Sequence, residues 1–241
     1  MKALWSIALI VLLSPTLVAK ELSVGVEQID YFPISAVRGD HYVGYAHDLL
    51  DAFAKQYHHT LTFKPYSVKS LFGAFKSGQV DFKFPDNPKW AMEFKKGLDI
   101  SYSAAALTSI DGVMVLPHVK GQGVIKRLGT IMGFTRTAYS EDIKKGKVSR
   151  HEHENIAGLM KLIKADLIDG VYTNIFVTRY FLQGSQYGAN FVVFDNSLAF
   201  EKTQFRLSTT SHPEVIAQFN QFLKDKEAWV KKLKIKYGLL P

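Results

Sequence analysis

Residues 22–81 open with Leu22-Ser23-Val24-Gly25-Val26, continue through Tyr31-Phe32-Pro33, Val43-Gly44-Tyr45 and His47-Asp48-Leu49-Leu50, and close on Ala74-Phe75-Lys76-Ser77-Gly78-Gln79-Val80-Asp81. Leu22, Val24 and Val26 alternate with Ser23 and Gly25, the period of a half-buried strand. Ala46, Leu49, Leu50, Phe53, Ala54 and Tyr57 fall on one helical face. Leu61 and Phe63 alternate again, Leu71, Phe72 and Phe75 return to helical spacing, and Val80, Phe82 and Phe84 alternate once more. A β-α-β-α-β series of this kind predicts a parallel sheet with helices on its faces. Such sheets seat ligands in the loops at the carboxyl ends of their strands. The turn Asp30-Tyr31-Phe32-Pro33 is therefore a predicted ligand-facing surface.

Upstream of this block, Lys2 is followed by an apolar run from Leu4 to Leu13, then Ser14-Pro15 and Val18-Ala19. A basic start, an apolar stretch of about ten residues and a small residue at the boundary read as a secretory signal peptide over residues 1–19, cut after Ala19. The run falls short of the roughly 20 apolar residues that a membrane span requires. The expected location is the periplasm. With no cysteine in the chain, disulfides, thiolate metal sites and lipid attachment through an N-terminal cysteine are excluded. About 220 residues after the cut fit two modest lobes.

The chain carries 30 basic and 22 acidic residues, a formal net charge of +8. The excess is spread along the chain. Lys224, Lys226, Lys231, Lys232, Lys234 and Lys236 lie on a predicted C-terminal helix pair with Trp229, Val230 and Leu233 opposite, which reads as a solvated face. No nucleic-acid reading module is evident.

Tyr31-Phe32-Pro33, Val43-Gly44-Tyr45 followed by His47-Asp48-Leu49-Leu50, the run Leu71 to Asp81, and the terminal Lys236-Tyr237-Gly238 together resemble the family 3 extracellular solute-binding proteins, the periplasmic amino-acid-binding components of ABC importers. The resemblance covers nearly the whole chain after the signal. It implies an α/β, two-lobe periplasmic-binding-protein-like fold of type II, each lobe a sheet flanked by helices, joined by a two-crossing hinge. Lobe 1 is expected at 20–116 plus 203–241 and lobe 2 at 117–202. It further implies a monomer that captures a small polar, amino-acid-like solute by hinge closure and delivers it to an ABC permease in the inner membrane, with neither cofactor nor catalysis. A periplasmic sensor reporting to a membrane receptor is the alternative reading, and an enzyme on the same fold a third.

The family's ligand clamp is altered here. An arginine grips the α-carboxylate in related proteins, but the corresponding region, Phe84 to Lys96, contains none. Lys89 or Lys95 could supply a point charge without the planar fork that orients a carboxylate. Asn174 stands where a carboxylate holds the α-ammonium, and brings no charge. Gly133-Phe134-Thr135-Arg136-Thr137 resembles the family's glycine-threonine turn before a helix near Ala138, an arrangement that can bind an anion. The expected ligand residues are Tyr31, Phe32, Asp86, Asn87, Trp90, Thr135, Arg136, Thr137 and Asn174, with Tyr102 a further aromatic candidate.

His151-Glu152-His153-Glu154 has metal-ligand chemistry but no third ligand, and reads as a solvated strand end; His58-His59 reads as surface. Asp86 or Glu93 could act as a general base, yet no Gly-x-Ser-x-Gly elbow, zinc-protease helix or cysteine nucleophile accompanies them. Ser211-His212-Pro213-Glu214 has the pattern of a capping box opening a helix on lobe 1.

Overall fold

A computed structural model describes residues 19–134 and 137–240. The segment expected to be a signal peptide, apart from Ala19, lies outside the described residues, as do Thr135, Arg136 and the Thr137 side chain. No helix among the described residues is long and apolar enough to cross a membrane.

Lobe 1 follows the alternation of its sequence. β1 (Glu21–Glu27) runs into the hairpin β2 (Ala36–Arg38) and β3 (His41–Val43), then α1 (Tyr45–Tyr57), β4 (Thr60–Tyr66), α2 (Val68–Lys76) and β5 (Phe82–Asp86). β1 pairs in parallel with both β4 and β5, as the β-α-β-α-β pattern requires. α1 begins at Gly44, whose φ of 107° and whose position, where a Cβ would lie 2.9 Å from the Ile34 carbonyl oxygen, admit only glycine. Tyr45, Ala46, Leu49, Leu50, Phe53 and Ala54 form its buried face. The short α3 (Met92–Lys95) and β6 (Ser101–Tyr102) lead into the long β7 (Leu107–Val115).

Lobe 2 repeats the plan with β8 (Arg127–Ile131), α4 (Ser140–Lys144), β9 (Ser149–His153), α5 (Ile156–Lys164), β10 (Gly170–Asn174), α6 (Ile175–Gln183) and β11 (Val193–Phe194). The helix expected near Ala138 is a 3-10 turn, Thr137–Tyr139, followed by the five residues of α4. The chain returns along β12 (Glu201–Thr209) and ends in α7 (Pro213–Asp225) and α8 (Glu227–Lys236). One curled sheet of ten strands spans both lobes, with β4-β1-β5-β12-β7-β10-β8-β9 as its main path. β7 and β12 are the two antiparallel crossings at its waist.

α7 packs on lobe 1, where Phe219 meets Phe53 edge-on at 5.1 Å. Two of the sequence fragments that suggested the fold also meet: Asp48 Oδ2 accepts from Lys236 Nζ and from the Tyr237 hydroxyl, each at 2.8 Å.

Three local expectations are corrected. The N-cap of α7 is His212 rather than Ser211, and no side chain caps it; Thr209 Oγ1 instead accepts the backbone N–H groups of Ser211 and His212 at 3.2 Å, while Pro213 opens the first turn. His59 is buried, because its Nδ1 accepts the Lys20 N–H at 3.2 Å and its Nε2 lies 2.8 Å from Gln218 Oε1, so that both ring nitrogens are satisfied indoors. Val230 and Leu233 are buried in α8, whereas Trp229 keeps 38% exposure with only its edge on Phe222.

Candidate ligand-binding cleft

The carboxyl ends of β1, β5, β8 and β10 converge between the lobes. The crevice there encloses about 700 Å³ including its solvent mouth, yet the centre of a water-sized sphere can occupy only about 50 Å³ of it. An outer crevice continues from it past Trp90, Glu201 and Thr203. The lobes touch at three places. Tyr31 meets Phe134 edge-on at 5.3 Å, Phe32 meets Tyr180 at 4.6 Å, and a Cβ on Gly133 would lie 3.6 Å from Val68.

The walls are aromatic: Tyr31, Phe72, Trp90, Phe134, Tyr172 and Phe205. The polar lining consists of Glu27, Asp111, Glu201, Thr130, Thr173, Thr203 and Asn174, and no lysine or arginine among the described residues belongs to it. Asp111 Oδ1 accepts from Asn174 Nδ2 at 2.9 Å, and Thr203 also donates to this carboxyl. Asp111 retains some exposure to the cleft, but the walls desolvate it enough to push its carboxyl up to about 6, with Glu201 adding to the rise. Burial likewise raises Glu27 and Glu201 above the ordinary carboxylate range, partly offset by Lys83 and Lys89 respectively. The Tyr31 phenol is raised by burial and by Asp111.

Searched against solved structures, the chain is similar to an arginine third transport system periplasmic binding protein from Legionella pneumophila, with TM-score 0.70, 17% identity, and 90% of this chain and 99% of that one covered. An ancestral arginine-binding protein bound to arginine aligns with TM-score 0.69 at 20% identity over 90% and 97% of the two chains. The ancestral amino-acid-binding protein AncCDT-1, a precursor of cyclohexadienyl dehydratase, aligns with TM-score 0.68 at 20% identity over 90% and 94%. The fold is that of the type II periplasmic binding proteins. No family model and no curated protein sequence matches the chain.

Within this binding-protein fold, the residues that the sequence singled out lie in different places. Tyr31, Trp90 and Asn174 line the cleft. Asn87 and Tyr102 line an outer crevice that shares Trp90 and Glu201 with it. Phe32 is absent from the lining; its ring meets Tyr180 at a tilt of 50°, with the Arg38 guanidinium 4.9 Å from its centroid. Asp86 is fully buried beneath the floor, where its Oδ1 accepts from Lys95 Nζ at 2.7 Å and its Oδ2 from Ser208 Oγ at 2.7 Å. Lys95 is thereby engaged and absent from the lining, while Lys89 sits in the outer crevice. Glu93 is exposed on α3. Thr135, Arg136 and the Thr137 side chain lie outside the described residues.

Asn174 also differs in role from the expectation. Its Oδ1 caps α6 by accepting the Phe176 N–H at 3.1 Å, and its Nδ2 donates to Ser109 and Asp111, so its polar atoms are engaged within the fold. The acceptor facing the cleft at this point is Asp111. Sequence reasoning missed Glu27, Asp111 and Glu201; the available signal was a charged residue inside each strand pattern, Val26-Glu27 and Ile110-Asp111-Gly112 above all.

His151 and His153 alternate on β9. His151 Nε2 lies 3.4 Å from Ser149 Oγ, and His153 Nδ1 accepts the Asn155 N–H at 3.3 Å. No group of three metal-ligating side chains occurs among the described residues.

Proposed function

We propose that the chain is a periplasmic solute-binding protein that captures a small polar solute between two lobes and presents the closed form to an ABC permease. One observation carries this reading: the enclosed cleft stands at the carboxyl ends of parallel strands from both halves of the sheet, beside the paired crossings β7 and β12. A ligand touching both halves favours the closed form by its higher affinity for it, which is all the mechanism that delivery requires. The similarity to transport-system binding proteins supports import, and supports a binding rather than a catalytic role. The lobes are proposed as 20–116 plus 203–241 and 117–202, and residues 1–19 as the export signal. Tyr31, Trp90 and the Gly133–Thr137 turn are proposed as ligand contacts.

A thermal-shift screen of amines, amino acids, peptides, sugars and organic acids tests the reading. Binding at one hundred times the dissociation constant adds about 2.7 kcal/mol, a readily measured rise in melting temperature. If no solute raises it, and solution scattering shows the same envelope with and without every solute, the solute-binding reading fails. Loss of uptake on deletion of the gene supports import, whereas intact uptake with lost signalling assigns the protein to sensing.

A further inference from the structure

The cleft carries carboxylates that the fold leaves without counterions. Glu27 is only 7% exposed and lines the cleft, and among the described residues nothing donates a hydrogen bond to its carboxylate. Lys83 bears on it from a distance, but that ammonium is held below the floor by the Pro85 carbonyl at 2.5 Å and by Asp86 at 3.5 Å. Thr173 Oγ1, on a residue 4% exposed in the same lining, is buried with no partner at hydrogen-bond geometry, the Tyr31 phenol being the polar group that approaches it. A buried acceptor without a donor is costly, and native chains keep such groups where function needs them.

Asp111 and Glu201 add a second anomaly. They occupy directly opposed positions on the antiparallel β7 and β12, and both line the cleft. Like charges directly opposite one another destabilise a sheet pair. Among the described residues no cation of the lining matches either, and only Lys89, in the outer crevice, bears on Glu201. The cluster beneath, Lys83 and Lys95 against Asp86, carries one net positive charge, and with Lys89 counted the three cleft carboxylates still exceed the positive charge near them. Around them stand aromatic faces, which attract cations. Two of these rings already serve that purpose within the fold, since Lys83 Nζ lies 4.6 Å from the Phe72 centroid and 5.7 Å from that of Trp90.

Resting on the solute-binding reading, we propose that the ligand is a small protonated amine without a carboxylate, its ammonium bound by Glu27, Thr173 and the Asp111–Glu201 pair inside the aromatic walls. A ligand carboxylate would enter a space lined by three groups of its own sign. An ammonium would supply the missing donors and lower the raised carboxyls to their charged form.

Titration calorimetry of the purified protein with matched pairs that differ by one carboxylate tests this: ethanolamine against serine, putrescine against ornithine, agmatine against arginine. The amine is expected to bind at least tenfold tighter than its amino acid in at least one pair. Glu27→Gln and, separately, Asp111→Asn should weaken that amine at least tenfold, with circular dichroism confirming that each variant is folded. If the amino acid is the tighter member of every pair, if sugars or organic acids bind instead, or if neither variant changes amine affinity, the amine assignment is overturned while solute binding stands. If nothing in the wider screen binds and scattering detects no closure, both fall together.

Discussion

Two clusters of charge lie on the central strands of the sheet, and the fold treats them in opposite ways. Beneath the floor, Asp86 receives Lys95, Lys83, the Asn87 N–H and the Ser208 hydroxyl, four partners for two oxygens. In the cleft, Glu27 has no donor among the described residues, and Asp111 faces Glu201. Both clusters contain buried carboxylates, so burial does not distinguish them. Satisfaction does: the first cluster is complete without any ligand, the second is not. A fold that can build the first beside the second is not short of cations. Leaving the cleft acidic is a property of the site.

The comparison breaks most readily at Asp86. Asp86→Ala leaves two buried ammonium groups facing each other, and removing one partner of a buried ion pair costs about 3–5 kcal/mol. At roughly 2–4 °C per kcal/mol for a chain of this size, the melting temperature should fall by on the order of 10 °C. A fall of less than about 3 °C would mean that the lower cluster is no better satisfied than the upper.

Glu27→Gln should do the reverse to stability while removing affinity. Relief of a desolvated charge is expected to leave the urea midpoint unchanged or raise stability by about 1 kcal/mol. Marked destabilisation by this variant would show Glu27 to be a structural residue.

Asp111 sharpens the contrast through pH. Its folded carboxyl, at about 6, lies above the unfolded value near 3.9. Between these values the folded protein holds a proton that the unfolded chain has released, so the group's stabilising contribution is present below about pH 4 and is lost as pH rises through 6. Glu201 and Tyr31 face the same carboxyl, while Asn174 and Thr203 donate to it and limit the effect. Asp111→Asn should therefore gain about 1 kcal/mol, or 2–4 °C, over the wild type at pH 7.5, and the gain should vanish toward pH 4. An ammonium ligand should correspondingly bind more weakly below pH 6.

Phe134→Ala removes the edge contact with Tyr31 across the cleft, worth about 0.5–1.5 kcal/mol. The unliganded protein should become measurably more open by scattering. The smallest effect is expected at His151→Ala: with no ring contact to the cleft, it should leave both ligand affinity and melting temperature within about 0.5 kcal/mol of the wild type.

The first lobe was legible because its elements are short, contiguous and strictly periodic, with β1 pairing in parallel to β4 one helix on and to β5 two helices on. The waist was not. Glu201 lies opposite Asp111 through a register between strands ninety residues apart, and no local period in either strand announces it. His59 looked like half of a surface pair, but its burial depends on Gln218 in a distant helix. Asn174 lines the cleft, and its engagement as the cap of α6 and donor to Asp111 is a tertiary fact that the local sequence does not show.

One strand ties recognition to timing. β12 hands over within itself, pairing with β7 from Glu201 to Phe205 and with β5 from Arg206 onward, where its register shifts. Phe205 stands at that handover and also forms part of the ligand's wall, with Trp90 against its ring. On the closing mechanism proposed above, Phe205 would thus serve both as part of the cleft wall and as part of the connection between the halves, and a substitution there is expected to change ligand affinity and dissociation rate together.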